Sequence, residues 1–254
     1  MHDPSARTRL LNTSIYDTIA ELGMKTPDIP VYQQSSYAQC AEDIIVLGLV
    51  RAMAPDGSLV TSGERYLEIG ANHPVSCSAS YLLHRRLGMT GVLVEANPDL
   101  IADLERHRAN DTIVHAAVVS EPCGTVDLYV SNQDELSSLD RRFVEEWHGG
   151  EVGLRRSVNV PAMTINDLLA AHFGDRSPLF LSIDIEGMDL EVLGAMDFNR
   201  WRPAIIQAEP SEHHLPGNTQ ALASLFNENG YRVLARTDVN LIACDVTRSR
   251  NAWS

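Results

Sequence analysis

Residues 66–77 read "YLEIGANHPVSC". A short apolar run carries an acid at Glu68 and breaks at Gly70, the pattern of a buried strand entering a ligand-binding turn. A dinucleotide site would continue Gly-x-x-Gly, so that backbone N–H groups meet a pyrophosphate. This chain continues Asn72, His73, Pro74. Proline has no N–H to offer, and Glu68 sets a carboxylate at the mouth of the turn. Such a turn suits a cationic ligand without phosphate. His73 either touches that ligand or shapes the turn. The Asn72 amide can satisfy the turn or bond a carboxylate, and a helix start at Ser76–Ser78 could take that carboxylate.

Reading outward, "GVLVEA" (91–96) is a second buried strand, followed by Asn97 as N-cap and Pro98 at the first helical position. Glu95 therefore ends a strand just before a capped helix, where a carboxylate can accept from the two hydroxyls of a ribose. Upstream, residues 38–53 have helical spacing, with Ile44, Leu47 and Val50 toward a core. Downstream, the pattern predicts a helix over 76–87 and strands over 112–120, 125–131, 179–185 and 204–209. Thr164 and Asp167 have capping-box spacing before a helix, and "DLEVLGAM" (189–196) reads as another. A helix capped by Asn218 and stopped at Gly230 precedes a hairpin across "TDV" (237–239).

Alternating apolar strands and helices make a doubly wound, mainly parallel α/β sheet, with the hairpin as its antiparallel edge. Ligands bind such sheets at the carboxyl ends of the strands. Those ends are 68–73, 95–97, 184–186 and 209–212, and all are acidic.

"LSIDIEGMDLEVL" (181–193) is the second dense signal. Strand alternation puts Asp184 and Glu186 on one face. Two carboxylates in one cleft can ligate a hard cation such as Mg²⁺, or one can act as a general base. Alternatively, Asp184 meets a ligand ammonium and Glu186 caps the next helix. The neighbouring strand end supplies Glu209, Glu212, His213 and His214. Asp184 and Glu209 are the candidate metal ligands, and His213 and Glu186 the candidate bases; the alternative for His213 and His214 is a solvated loop. Residues 131–153, with Asn132, Glu135, Ser137, Ser138 and His148, form a polar stretch that reads as a lid, in which Trp147 stacks on a sugar face or anchors the loop.

Composition bounds the rest. A net charge of −14 excludes a nucleic-acid partner, which needs clustered Lys and Arg. Four cysteines without a C-x-x-C pair indicate neither a zinc cage nor a disulfide framework and fit a reduced, cytoplasmic setting. No apolar run reaches the roughly 20 residues of a membrane span, and the first ten residues lack the apolar core of a signal peptide. With 254 residues and 44% hydrophobic, the expected organisation is an N-terminal appendage over 1–36 and one large domain over 37–254.

"SYAQCAEDIIVL", the two blocks above through "VEANP", "SSLD" and "LSIDIEGMDLEVLGAMDF" together resemble the FkbM-type S-adenosylmethionine-dependent methyltransferases, over about residues 36–245. The resemblance implies a class I methyltransferase fold with a seven-stranded sheet. It implies a cofactor site lined by Glu68, Gly70, Asn72, His73, Glu95, Ala96 and Asn97, with Gln39 and Asp43 packed over it. It places Asp184 and Glu186 at the reaction end. Two features depart from the family: Glu68 stands where Asp is commoner, and residues 1–30 have no counterpart, which leaves substrate cover or a homodimer contact open for them. The expected function is O-methylation of a neutral saccharide or glycoside, with Mg²⁺ as a candidate cofactor. The alternatives are a nicotinamide-dependent sugar oxidoreductase or epimerase, which the missing glycines oppose, and a non-catalytic methyltransferase module.

Overall fold

The computed structural model describes residues 36–53, 63–147 and 152–246. The appendage expected over 1–36, Ser36 apart, lies outside these residues, as does His148.

The first strand, β1 (Arg65–Ile69), is buried from Tyr66 onward. On one side it pairs in parallel with β2 (Thr90–Glu95), which pairs with β3 (Thr112–His115). On the other it pairs in parallel with β7 (Phe180–Ile183), and β7 with β8 (Ile205–Ala208). The hairpin strands β9 (Tyr231–Arg236) and β10 (Leu241–Asp245) complete seven strands in the order β3-β2-β1-β7-β8-β10-β9, with β10 antiparallel to both neighbours. The chain winds outward from β1 in one direction, then returns to β1's other side. That reversal opens a crevice at the carboxyl ends of β1 and β7.

Both faces of the sheet are covered, as a parallel sheet requires. Alternate residues divide between two cores. Leu67, Ile69, Leu181 and Ile183 pack with Leu168, Val192 and Phe226, which belong to α5 (Ile165–Phe173), α6 (Asp189–Gly194) and α7 (Asn218–Glu228). Tyr66, Leu93, Phe180 and Ile205 pack with α1 (Glu42–Met53) and α2 (Tyr81–Leu87). Helix α3 (Pro98–His107) starts as its sequence predicts: the Asn97 side chain accepts from Asp99 N. Thr164 caps α5 through Asp167 N. Among the described residues no helix is long and apolar enough to cross a membrane.

Several local expectations are corrected. Helix α1 begins at Glu42 rather than residue 38, burying Val46, Leu47 and Val50, with Ile44 only partly covered. Helix α2 begins at Tyr81 rather than 76, because Ser78, Ala79 and Ser80 are all bonded to the Glu68 carboxylate. Asn218 does not cap α7. It is the first helical residue, Gly217 holds the cap position, and the Asn218 amide donates to Pro210 O.

The single strand expected over 112–120 is two. At Ala116 the chain turns, its N–H donating to Glu95 O, and β4 (Ala117–Val119) leaves for a second sheet. There β4 pairs in parallel with β6 (Leu154–Thr164), and β5 (Thr125–Ser131) pairs antiparallel to β6. Strand β6 is absent from the sequence reading. Between β5 and β6 lie a 3₁₀ turn (Asp134–Leu136) and α4 (Arg141–Glu146), capped by Asp140.

Candidate active site

The crevice holds a cavity of about 530 Å³, within the size range of ligand sites. Its floor is the ends of β1, β2, β7 and β8, and the second sheet with the 134–147 segment forms one wall.

The turn after β1 is built tightly. Gly70 has φ +82°, and a Cβ there would lie 1.7 Å from Asp184 O, so only glycine lets β1 and β7 end side by side. The N–H groups of Gly70 and Ala71 both donate to Val94 O. Asn72, also left-handed at φ +45°, donates its N–H to Glu95 Oε2 at 2.8 Å. Glu95 Oε1 accepts from Asn97 N at 2.6 Å. Burial pushes the Glu95 carboxyl above the usual range, opposed by those backbone donors. Gln39, Gly70, Asn72, Glu95 and Ala96 all line the cavity.

Four residues of the expected cofactor set do not line it. Glu68 is buried beneath the turn, accepting from Ser78, Ser80 and Ala79 N. Arg108, fully buried, donates to Ser80 Oγ, Tyr66 OH and Pro74 O, and so ties the turn to α3's end. Burial raises the Glu68 carboxyl, and the Arg108 charge opposes that rise. His73 shapes the turn: its Nδ1 accepts from Val75 N at 3.1 Å and Ser76 N at 2.9 Å. Asn97 is a buried helix cap. Asp43 is buried and accepts from Tyr37 N at 2.7 Å, holding the strap before α1.

At the other end Asp184, Glu186 and Glu209 each present an oxygen within 4.8 Å of the others. Glu186 has φ +53° and Gly187 φ +98°, a left-handed pair that turns the chain out of β7 and swings Glu186 beside Asp184. The Ser138 hydroxyl donates to Glu186 O at 2.8 Å and pins the 131–147 segment over the turn. Burial first, then repulsion from neighbouring carboxylates, drives these carboxyls up, with Glu42 and Glu68 acting on Asp184 and Asp184 acting on Glu186 and Glu209. Glu209 is pushed up to about 10, with the Asp184 and Asp189 charges adding to burial. Asp184 rises only to about 6, because Glu209, protonated, donates a hydrogen bond to it. Glu186 is raised well above its ordinary value.

The three acids fit a hard divalent cation. Carboxylate oxygens are the donor set such ions prefer. Glu186 Oε2 is buried without a hydrogen-bond partner, a costly state that a cation would relieve. The sequence offers Asp184 and Glu209 as ligands and Glu186 as ligand or base; the geometry brings the three together.

His213 lines the cavity and is exposed. Its ring packs edge-on against Trp147 at 4.2 Å, and Phe143 lies 4.9 Å from Trp147 and 5.0 Å from His214. These rings make an aromatic wall beside the acids, and α4 delivers it. Glu135, Ser137 and Ser138 also line the cavity, whereas Asn132 closes its own loop by accepting from Gly153 N. Glu212 is a capping group: it accepts from Gly217 N and Thr219 N, which hold its carboxyl down at about 2.

The sequence reading missed Asp189. Fully buried, it accepts from Ile185 N and Glu209 N, both at 3.1 Å, and so joins the turns that follow β7 and β8. Its place in the first turn of α6 makes it look like an ordinary helix-start acid. Glu42 was missed likewise: it accepts from Cys40 N and from the Thr237 hydroxyl, linking α1 to the β9–β10 turn.

The family model described as the methyltransferase FkbM domain matches residues 68–233. No curated protein matches the chain. Among solved structures, similarity extends to an O-methyltransferase from Bacillus cereus, 12% identical over 94% of this chain and 96% of that one, with a TM-score of 0.43. It extends also to the magnesium protoporphyrin IX methyltransferase of Synechocystis, 8% identical over 96% of each chain, TM-score 0.36. A Galdieria sulphuraria protein described as a sarcosine dimethylglycine methyltransferase is 13% identical over 74% of this chain, which spans 63% of that protein, TM-score 0.35.

Proposed function

The chain belongs to the FkbM methyltransferase family, and we propose that it is an S-adenosylmethionine-dependent O-methyltransferase acting on a hydroxyl of a saccharide or glycoside. The observation that carries the reading is one cavity with two chemically distinct ends. One end is a phosphate-hostile turn with a ribose-ready carboxylate; the other is a three-carboxylate cluster beside aromatic rings.

At the first end Glu95 accepts from a ribose diol, and Gly70 and Asn72 shape the floor. The bound cofactor supplies an electrophilic methyl group on a sulfonium. At the second end Asp184, Glu186 and Glu209 would hold Mg²⁺ and, with it or alone, orient an acceptor hydroxyl. A sugar hydroxyl is a weak nucleophile, so its proton must leave during transfer. His213, at the cavity wall, takes that proton, or Glu186 takes it where no cation holds its carboxylate. Trp147 offers a flat apolar face to one side of a sugar ring. Negative charge around the cavity disfavours phosphorylated or carboxylated acceptors.

Labelled-methyl transfer over a panel of mono- and oligosaccharides, with Mg²⁺ and with EDTA, tests the acceptor and the metal together. Asp184→Ala is expected to lose transfer by a factor of about 10² or more, the scale of general-base and positioning losses. Near-normal turnover in that variant would rule out this arrangement.

A further inference from the structure

Beneath the Gly70 turn lies a second chamber of about 20 Å³, room for one water-sized group. Gly70, Cys77, Asp184 and Asn240 line both it and the main cavity, so the two adjoin. Its own walls include Glu42, Glu68, Ser182 and Gln207.

Three of its lining residues carry a buried side-chain oxygen with no hydrogen-bond partner: Asp184 Oδ1, Gln207 Oε1 and Asn240 Oδ1. Gln207 and Asn240 are each 4% exposed, so solvent does not satisfy them. The Asn240 orientation is fixed from behind, where its Nδ2 donates to Glu42 Oε1 at 3.4 Å. Asp184 spends its other oxygen on Glu209, which leaves Oδ1 free. Buried acceptors left unpaired are destabilising, and three around one small space call for one donor-rich group.

The number and sign of the donors identify that group. Water donates two hydrogen bonds and would leave one acceptor bare. A primary ammonium donates three and accepts none. It is also cationic, and the chamber is walled by three carboxylates, those of Glu42, Glu68 and Asp184. We propose that this chamber receives the α-ammonium of the methionine moiety of S-adenosylmethionine, with Gln207 and Asn240 as its uncharged acceptors and Asp184 as its charged one. The assignment rests on the cofactor reading above and locates one end of that cofactor. It makes Asp184 a shared wall between the ammonium and the acid cluster, and it gives a ligand role to a strand residue, Gln207, and a hairpin residue, Asn240.

Calorimetric binding of S-adenosylhomocysteine is compared with that of an analogue lacking only the α-amino group, so no turnover is needed. The wild type should prefer the amino compound by about tenfold or more, the scale of charge-assisted hydrogen bonds. Gln207→Leu and Asn240→Leu should lose most of that preference by weakening the amino compound alone. Gln207→Glu, which keeps an acceptor, should retain it. Equal weakening of both ligands in the leucine variants would mark a structural role and overturn the proposal, as would a wild type without preference. If neither compound binds the wild type, the cofactor reading falls and this assignment with it.

Discussion

Asp189 holds the acid cluster together by accepting one N–H from the turn after β7 and one from the turn after β8. Burial and the Asp184 charge push its carboxyl up to about 8. With Asp184 at about 6 and Glu209 at about 10, the folded protein retains protons that the unfolded chain has already released. Metal-free stability therefore falls as pH rises from the ordinary carboxylate range through these values. A divalent cation binds the ionised form, so its stabilising effect grows over the same span. Thermal unfolding at pH 5 and pH 8, with and without Mg²⁺, should show both trends in the wild type and weaken both in Glu209→Gln. A Mg²⁺ shift of equal size in that variant would argue against the cluster as the ion's site. Gly70→Ala forces a Cβ into Asp184 O and should destabilise the fold and abolish cofactor binding together; unchanged affinity by calorimetry would contradict the close approach. The acids were legible in sequence because each follows directly on an apolar strand; alternation does not bring Glu186 beside Asp184, since β7 ends at Ile183 and the left-handed turn at Glu186 and Gly187 does so. That Glu68 stays out of the main cavity was not legible, because "E-x-G" does not say which face of β1 looks into the crevice: its carboxylate goes to Ser78, Ala79 and Ser80.

Among elements, the capped helices were the readable ones, since a cap is a local event spelled in adjacent residues. Asn97 is the example: its side chain accepts from Asp99 N while its own N–H donates to Glu95. Asn97→Ala should cost about 1 kcal/mol in urea unfolding, the usual worth of a cap. A loss no larger than scatter would mean the helix start is held by other contacts. Strand β6 was unreadable for the opposite reason. Pro161 argues against an interior strand, and Arg155 and Arg156 look like a solvated loop. Its Val158, Val160, Ala162 alternation was the available signal. The structure accommodates Pro161 because β5 pairs residues 154–161 and β4 pairs 162–164, so the proline falls where one partner hands over to the other. The break at Ala116 was equally hidden, since "TIVHAAVVS" carries no turn residue and only tertiary pairing divides it.

At the scale of the whole molecule, periodicity carried the doubly wound, mainly parallel sheet with its hairpin edge, the resemblance carried the count of seven strands, and the strand order and the second sheet came with the structure. The net charge of −14 has a consequence of its own: like charges repel across the folded surface, and salt screens them. The melting temperature should rise between very low ionic strength and about 0.15 M NaCl; a fall would show that favourable ion pairs outweigh the repulsion.

The departure of the chain at Ala116 divides the labour of the cavity. The end proposed for the cofactor is made by the ends of the large sheet, whose strands are locked by two hydrophobic cores. The wall proposed for the acceptor comes from residues 116–147, resting on a small core of its own around Leu128, Val130 and Val160. A lineage could rewrite that wall, changing what is methylated, while the machinery that delivers the methyl group stays as it is.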